Sequence, residues 1–141
     1  MTSSRKLPIP TFIAVLVLLQ RYSLAARVPT STGTEGGIWP RTTVVLINEV
    51  NDLLTLHCQS KEDDLGIHVV PKGESWQFSF DPNFFSSTLY FCSFHWGGEE
   101  ARYFDAYKQS RDLGYKRIPW LVRTTGVCID GLGGFTCYPW H

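Results

Sequence analysis

Apolar and polar residues alternate with a period of two along much of this chain. The clearest case is Trp76-Gln77-Phe78-Ser79-Phe80, where three aromatics share one side of an extended segment and two polar residues the other. Leu54, Leu56 and Cys58 alternate in the same way with Thr55, His57 and Gln59, which turns Cys58 inward. Thr42 to Ile47 is a β-branched run bounded by Pro40 and by Asn48-Glu49. Ser60 to Gly66 reads as a charged turn closed by glycine, with a short strand from Ile67 to Val70 and a second turn at Pro71-Lys72-Gly73. Thr88 to Phe94 carries aromatics on both faces, the pattern of a central strand buried on two sides. Gly97-Gly98-Glu99-Glu100 marks a hairpin turn into Arg102 to Tyr107. The last candidates are Ile118 to Arg123, around Trp120, and a strand near Phe135 to Trp140, with Gly131, Gly133 and Gly134 between them. Short strands at spacings of roughly ten residues, with no helix-period window to compete for the core, predict an all-β fold, a small antiparallel β-sandwich.

Before Thr42 the pattern changes. A basic stretch with Arg5 and Lys6, an apolar run from Phe12 to Leu19 and small residues at Ser23, Ala25 and Ala26 follow the order of a secretory signal peptide, with cleavage after Ala25. The run is far shorter than the roughly 20 residues a membrane-spanning helix needs, so no membrane insertion is expected. Residues 26–41 are rich in Thr, Gly, Ser and Pro and read as a flexible leader. Residues 42–141 are the folded domain. Loss of residues 1–25 removes Arg5, Lys6 and Arg21, leaving ten basic against thirteen acidic side chains, a net charge of −3 with His neutral. Such a protein has no electrostatic claim on nucleic acid or anionic lipid.

Export also decides how the four cysteines, Cys58, Cys92, Cys128 and Cys137, are read. Thiols in an oxidising compartment and an even count in a short domain imply two disulfides, with three possible pairings.

An ordered set of residues gives a family resemblance. Asn48, Leu56-x-Cys58-x-Ser60-Lys61, Asp63-Asp64-Leu65-Gly66, Phe78-x-Phe80, Thr88-Leu89-x-Phe91-Cys92 and Trp96 continue into Phe104-Asp105-x-Tyr107, Arg111-Asp112, Trp120, Gly126 and Trp140. In this order and spacing the chain resembles the plant self-incompatibility protein S1 family, the S-protein homologues, over nearly all of residues 44–140. The resemblance implies a secreted β-sandwich with two disulfides that acts as a ligand or interaction protein, not as an enzyme. The family's founding example is a stigma-secreted determinant that arrests self pollen through a pollen-surface receptor. One departure bears on the bridges. Members usually carry Cys-x-x-Cys shortly before the tryptophan that Trp120 matches, and here Gly114 to Pro119 holds no cysteine. Cys128 and Cys137 either replace the missing partners of Cys58 and Cys92 or pair with each other across the glycine-rich turn.

Other chemistries fit the residues less well. His57, Cys58, His68, Cys92 and His95 are zinc-ligand types, but their spacing matches no Cys-x2-4-Cys or His-x3-5-His arrangement. Glu62, Asp63 and Asp64 lack the alternating order and internal glycine of a calcium loop and read as a solvated turn. Gly131-Leu132-Gly133-Gly134 lacks the spacing of a phosphate cradle. Neither a cofactor nor a metal is expected. The aromatics between Trp76 and Trp96, Phe84 and Phe85 among them, are assigned mainly to the core. No Asn-x-Ser/Thr sequon follows residue 25. The expected function is that of a monomeric secreted recognition protein for a cell-surface receptor or other extracellular protein. The candidate contacts are Lys61, Glu62, Asp63 and Asp64 in one turn and Gly97, Gly98, Glu99 and Glu100 in another. Alternatives are a secreted defence protein, toxin or enzyme inhibitor, and a carbohydrate-binding domain.

Overall fold

The computed structural model describes residues 39–85 and 87–141. The expected signal peptide, and all of the expected leader except Trp39, Pro40 and Arg41, lie outside them. Within the described residues the chain forms β1 (Thr42–Asn48), β2 (Leu54–Gln59), β3 (Asp64–Val70), β4 (Ser75–Phe80), β5 (Leu89–His95), β6 (Arg102–Lys108), a helical turn α1 (Gln109–Asp112), β7 (Arg117–Arg123), β8 (Gly126–Gly131) and β9 (Gly134–Tyr138). They make two sheets, a five-stranded one in the order β4-β1-β7-β8-β9 and a four-stranded one in the order β3-β2-β5-β6. The all-β sandwich is as the alternation implies, and every strand pairing is antiparallel except β1 with β7. That parallel pair joins strands far apart in sequence, which local spacing does not reveal.

The core lies between the sheets. Leu54, Leu56 and Cys58 point into it from β2, Tyr90, Cys92 and Phe94 from β5, and Val44 and Leu46 from β1. The aromatic row of β4 packs as its period demands: Phe80 lies 4.5 Å from Tyr90 and 4.6 Å from Tyr107, ring to ring, and Phe78 lies 5.0 Å from Tyr90. Two polar residues tie one sheet to the other. The Trp120 indole N–H on β7 donates to the Ala106 carbonyl on β6 at 2.8 Å. Asn48, fully buried at the end of β1, donates to the carbonyls of Asp52 and Val70 and accepts the Val50 N–H.

Both disulfides connect directly opposed residues on neighbouring antiparallel strands: Cys58–Cys92 joins β2 to β5 and Cys128–Cys137 joins β8 to β9. The latter bridges the glycine-rich turn, the second of the two arrangements left open by the sequence.

Three local expectations need correction. The charged turn ends at Asp63, because Asp64 pairs with Gln59 and already belongs to β3; Gly66, at φ 80°, sits inside that strand where the β2–β3 register shifts. β5 is central but not buried on both sides, since Leu89 and Phe91 remain 39% and 36% exposed on the outer face. Gly126–Gly131 is a strand, a segment the glycines around it disguise.

Candidate functional site

The two predicted contact clusters do not form one surface. Lys61, Glu62 and Asp63 make the β2–β3 turn and Asp64 opens β3, whereas Gly97, Gly98, Glu99 and Glu100 follow β5. Because β2 and β5 run antiparallel, with Gln59 opposite Phe91 and Thr55 opposite His95, the turns fall at opposite ends of the four-stranded sheet. The length of β2 separates them by roughly 17 Å at about 3.3 Å per residue.

At the first end, the backbone of the β2–β3 turn is organised by its own side chains. Ser60 Oγ accepts the N–H groups of Glu62 and Asp63 at 3.3 and 3.0 Å, and the Ser60 N–H donates to the Asp63 carbonyl at 2.7 Å. Asp64 accepts the Gly66 N–H at 2.9 Å and pairs with His57 at 2.6 Å. The Gly66 N–H first, and His57 second, hold its carboxyl below the ordinary 3.8, so it stays ionised into acid. Asp63 accepts the Tyr90 hydroxyl at 3.3 Å; burial pushes that phenol's pKa up, and the negative charge of Asp63 pushes it further.

Facing this turn is the loop between β4 and β5. The turn, the loop and the start of β5 enclose a groove of about 630 Å³ whose walls include Ser60, Glu62, Asp63, Asn83, Thr88 and Phe91. The loop is held from beneath by Gln109 of α1, which is 2% exposed. The Gln109 side chain accepts the Thr88 N–H at 3.0 Å and donates to the Asn83 carbonyl at 2.9 Å, while its own N–H donates to the Thr88 carbonyl at 3.1 Å. Asn83 closes the loop from within: its N–H donates to Thr88 Oγ1 at 2.9 Å and its side-chain amide to Ser87 Oγ at 2.9 Å. The loop so held presents Phe84 and Phe85 to solvent, 64% and 83% exposed, edge to face at 5.4 Å. Core packing, the role expected of most aromatics between Trp76 and Trp96, is therefore not the role of these two. An apolar pair between Asp81-Pro82-Asn83 and Ser87-Thr88, all turn formers, was the sequence signal for an outward position. Nothing in the sequence marks Gln109.

The second end is more self-contained. Gly97 and Gly98 take φ 55° and 73°, the Glu99 N–H donates to the Trp96 carbonyl at 2.9 Å, and Glu99 lies 4.0 Å from Arg102, whose guanidinium sits 5.6 Å above the Trp96 ring. A smaller cavity of about 270 Å³ opens beside Arg111 at the carboxyl end of the chain. Arg111 is spent on structure: it chelates Asp112 with two bonds of 2.7 Å and lies 5.0–5.3 Å from the rings of Phe104, Trp120 and Tyr138.

The histidines and cysteines that carry zinc-ligand chemistry are dispersed. Cys58 and Cys92 are oxidised to each other, and His68 stacks on Trp76 at 4.3 Å. Among the described residues, no three His, Cys, Asp or Glu side chains are grouped to hold a metal ion. No described helix is long and apolar enough to cross a membrane.

Comparison with known proteins agrees with this architecture. The family model for plant self-incompatibility protein S1 matches residues 43–140. The chain is 38% identical to S-protein homolog 2 of Arabidopsis thaliana over 148 aligned positions, covering 92% of this chain and 91% of that protein. S-protein homolog 5 of the same plant is 42% identical over 104 positions, 72% of this chain and 80% of that one. Among solved structures, an SPH (self-incompatibility protein homologue) protein superposes with a TM-score of 0.57 at 14% identity, covering 74% of this chain and 97% of the other, and so shares the fold. That protein comes from a family described as small, highly stable and secreted from plants. This chain belongs to the plant self-incompatibility protein S1 family, and it is a secreted S-protein homologue.

Proposed function

We propose that this protein, after removal of residues 1–25, acts as a monomeric extracellular ligand that binds a cell-surface protein through its β2–β3 end, and that it works by binding and not by catalysis. The observation that carries the reading is the groove between the β2–β3 turn and the β4–β5 loop, whose rim is organised by side-chain hydrogen bonds on a disulfide-braced sheet. A rigid scaffold holding ordered loops lowers the ordering cost of association, which is what a recognition protein needs. Lys61, Glu62, Asp63 and Asp64 are the proposed contacts. Gly97, Gly98, Glu99 and Glu100, at the far end, are the second candidate surface.

The separation of the two ends makes the reading testable. Oxidised protein lacking residues 1–25 is labelled and titrated onto intact plant cells, beside one variant with Lys61→Ala, Glu62→Gln and Asp63→Asn and another with Glu99→Gln and Glu100→Gln. Saturable, protease-sensitive binding that weakens only in the first variant is expected. Loss confined to the second variant would transfer the site to the β5–β6 turn, and absence of protease-sensitive binding by the unmodified protein would end the ligand reading.

A further inference from the structure

The exposed aromatic pair adds something the family's sequence signature does not contain. Large side chains left in water are unfavourable, by the same apolar area that makes them useful when buried. Here two adjacent phenylalanines are held out together, on a loop secured at both ends by one buried glutamine and cross-linked through Asn83. Preorganised aromatics of this kind are typical anchors of protein interfaces, because little conformational freedom remains to be lost on binding. The loop that carries them also walls the groove through Asn83, Ser87 and Thr88, and the charge lining that groove is mostly negative. Glu62 and Asp63 line the groove together with Asp81, which Arg41 engages at 3.1 Å; Lys61 is the cation among the lining residues.

We infer that Phe84 and Phe85 are the anchor of the binding surface and that the segment they receive is a protein segment carrying an apolar residue flanked by lysine or arginine. The apolar residue meets the two rings, and the cation enters the groove toward Glu62 and Asp63, where a ring face adds cation–π attraction. A lipid surface is the competing occupant for exposed aromatics. The carboxylates of the neighbouring groove disfavour it, because seating the rings in a lipid layer would draw Glu62 and Asp63 toward a low-dielectric surface that offers them no cation. The inference rests on the ligand reading and narrows it to a partner chemistry.

The test uses the oxidised protein without residues 1–25, and two variants, Phe84→Ser with Phe85→Ser, and Glu62→Gln with Asp63→Asn. The Phe positions are exposed, so a matching circular dichroism spectrum and melting temperature are expected for that variant. Each protein is immobilised and probed with a library of random twelve-residue peptides. Enrichment of peptides pairing Lys or Arg with Leu, Ile or an aromatic is expected, with affinity reduced roughly tenfold or more in the Phe variant. The carboxylate variant should bind the same peptides more weakly and with less dependence on salt. Enriched peptides without a basic residue, or equal affinity in the Phe variant, would overturn the inference. Binding of the unmodified protein to protein-free phosphatidylcholine–phosphatidylserine vesicles, abolished in the Phe variant, would overturn it in favour of lipid. Protease-sensitive binding to cells that persists in the Phe variant would sink this inference while leaving the ligand reading intact.

Discussion

Single atoms decide several of the positions that make this sequence fold. A Cβ on Gly126 would collide with the Tyr138 carbonyl oxygen of the adjacent strand, at a backbone φ of 155°. Gly126→Ala is therefore expected to lower stability by about 2 kcal/mol or more, read as a fall in melting temperature or denaturant midpoint. Asn48 satisfies three backbone groups, two of them through buried bonds, that no apolar side chain could pair with, so Asn48→Leu is expected to cost about 2–4 kcal/mol by the same measurement. Tyr107 is the opposite case. Its hydroxyl is buried with no hydrogen-bond partner among the described residues, and burial, with the Asp112 carboxylate as a second cause, pushes its pKa from 10.0 to about 12. The folded protein keeps this proton where the unfolded chain releases it. The contribution is thus intact below pH 10 and is lost as pH climbs toward 12. Tyr107→Phe should leave stability at neutral pH unchanged or raised by up to about 1 kcal/mol, and should flatten the alkaline fall; a marked loss at neutral pH would mean that the hydroxyl has a partner.

Among the elements, the two disulfides differ in what they constrain. Cys58–Cys92 spans 34 residues between core-facing positions, and Cys128–Cys137 spans only 9, with Cys137 at the surface. Loop-closure entropy gives roughly 3.8 kcal/mol for the longer bridge and roughly 2.6 kcal/mol for the shorter. Replacing both cysteines of the β8–β9 bridge by serine should accordingly leave a folded domain with a lower melting temperature, while the same change at Cys58 and Cys92 should lower it further. Graded reduction followed by thiol alkylation should label Cys128 and Cys137 first. Strands with strict alternation, β2 and β4 above all, were legible in the sequence to within a residue or so, because one face must be apolar when the other meets water. The parallel β1–β7 pair was not, since nonlocal pairing leaves no periodic trace. β8 was hidden because Gly126 and Gly131, glycines that suggest a loop, frame only four other residues. The outer face of β5 was misread because exposed Leu89 and Phe91 have the composition of core. Of the candidate site, the acidic turn could be read from its charges, whereas Gln109 could not, as its role arises only when α1 comes to lie under a loop more than twenty residues earlier in the chain.

At the scale of the whole molecule, the sandwich separates two surfaces that the sequence alone had treated as equivalent. The β5–β6 end sets Glu99 against Arg102 and Arg102 over Trp96, and the β2–β3 end holds Glu62 and Asp63 in a groove whose facing loop turns Phe84 and Phe85 outward. That asymmetry is the basis for locating recognition at one end of a secreted S-protein homologue. Site-specific photo-crosslinking on living plant cells is its most direct measurement, with the photoreactive side chain introduced at Glu62 in one protein and at Glu99 in another. The account predicts a discrete cell-surface protein captured from the Glu62 position and none from the Glu99 position. Capture from Glu99 alone, or from neither, would contradict it.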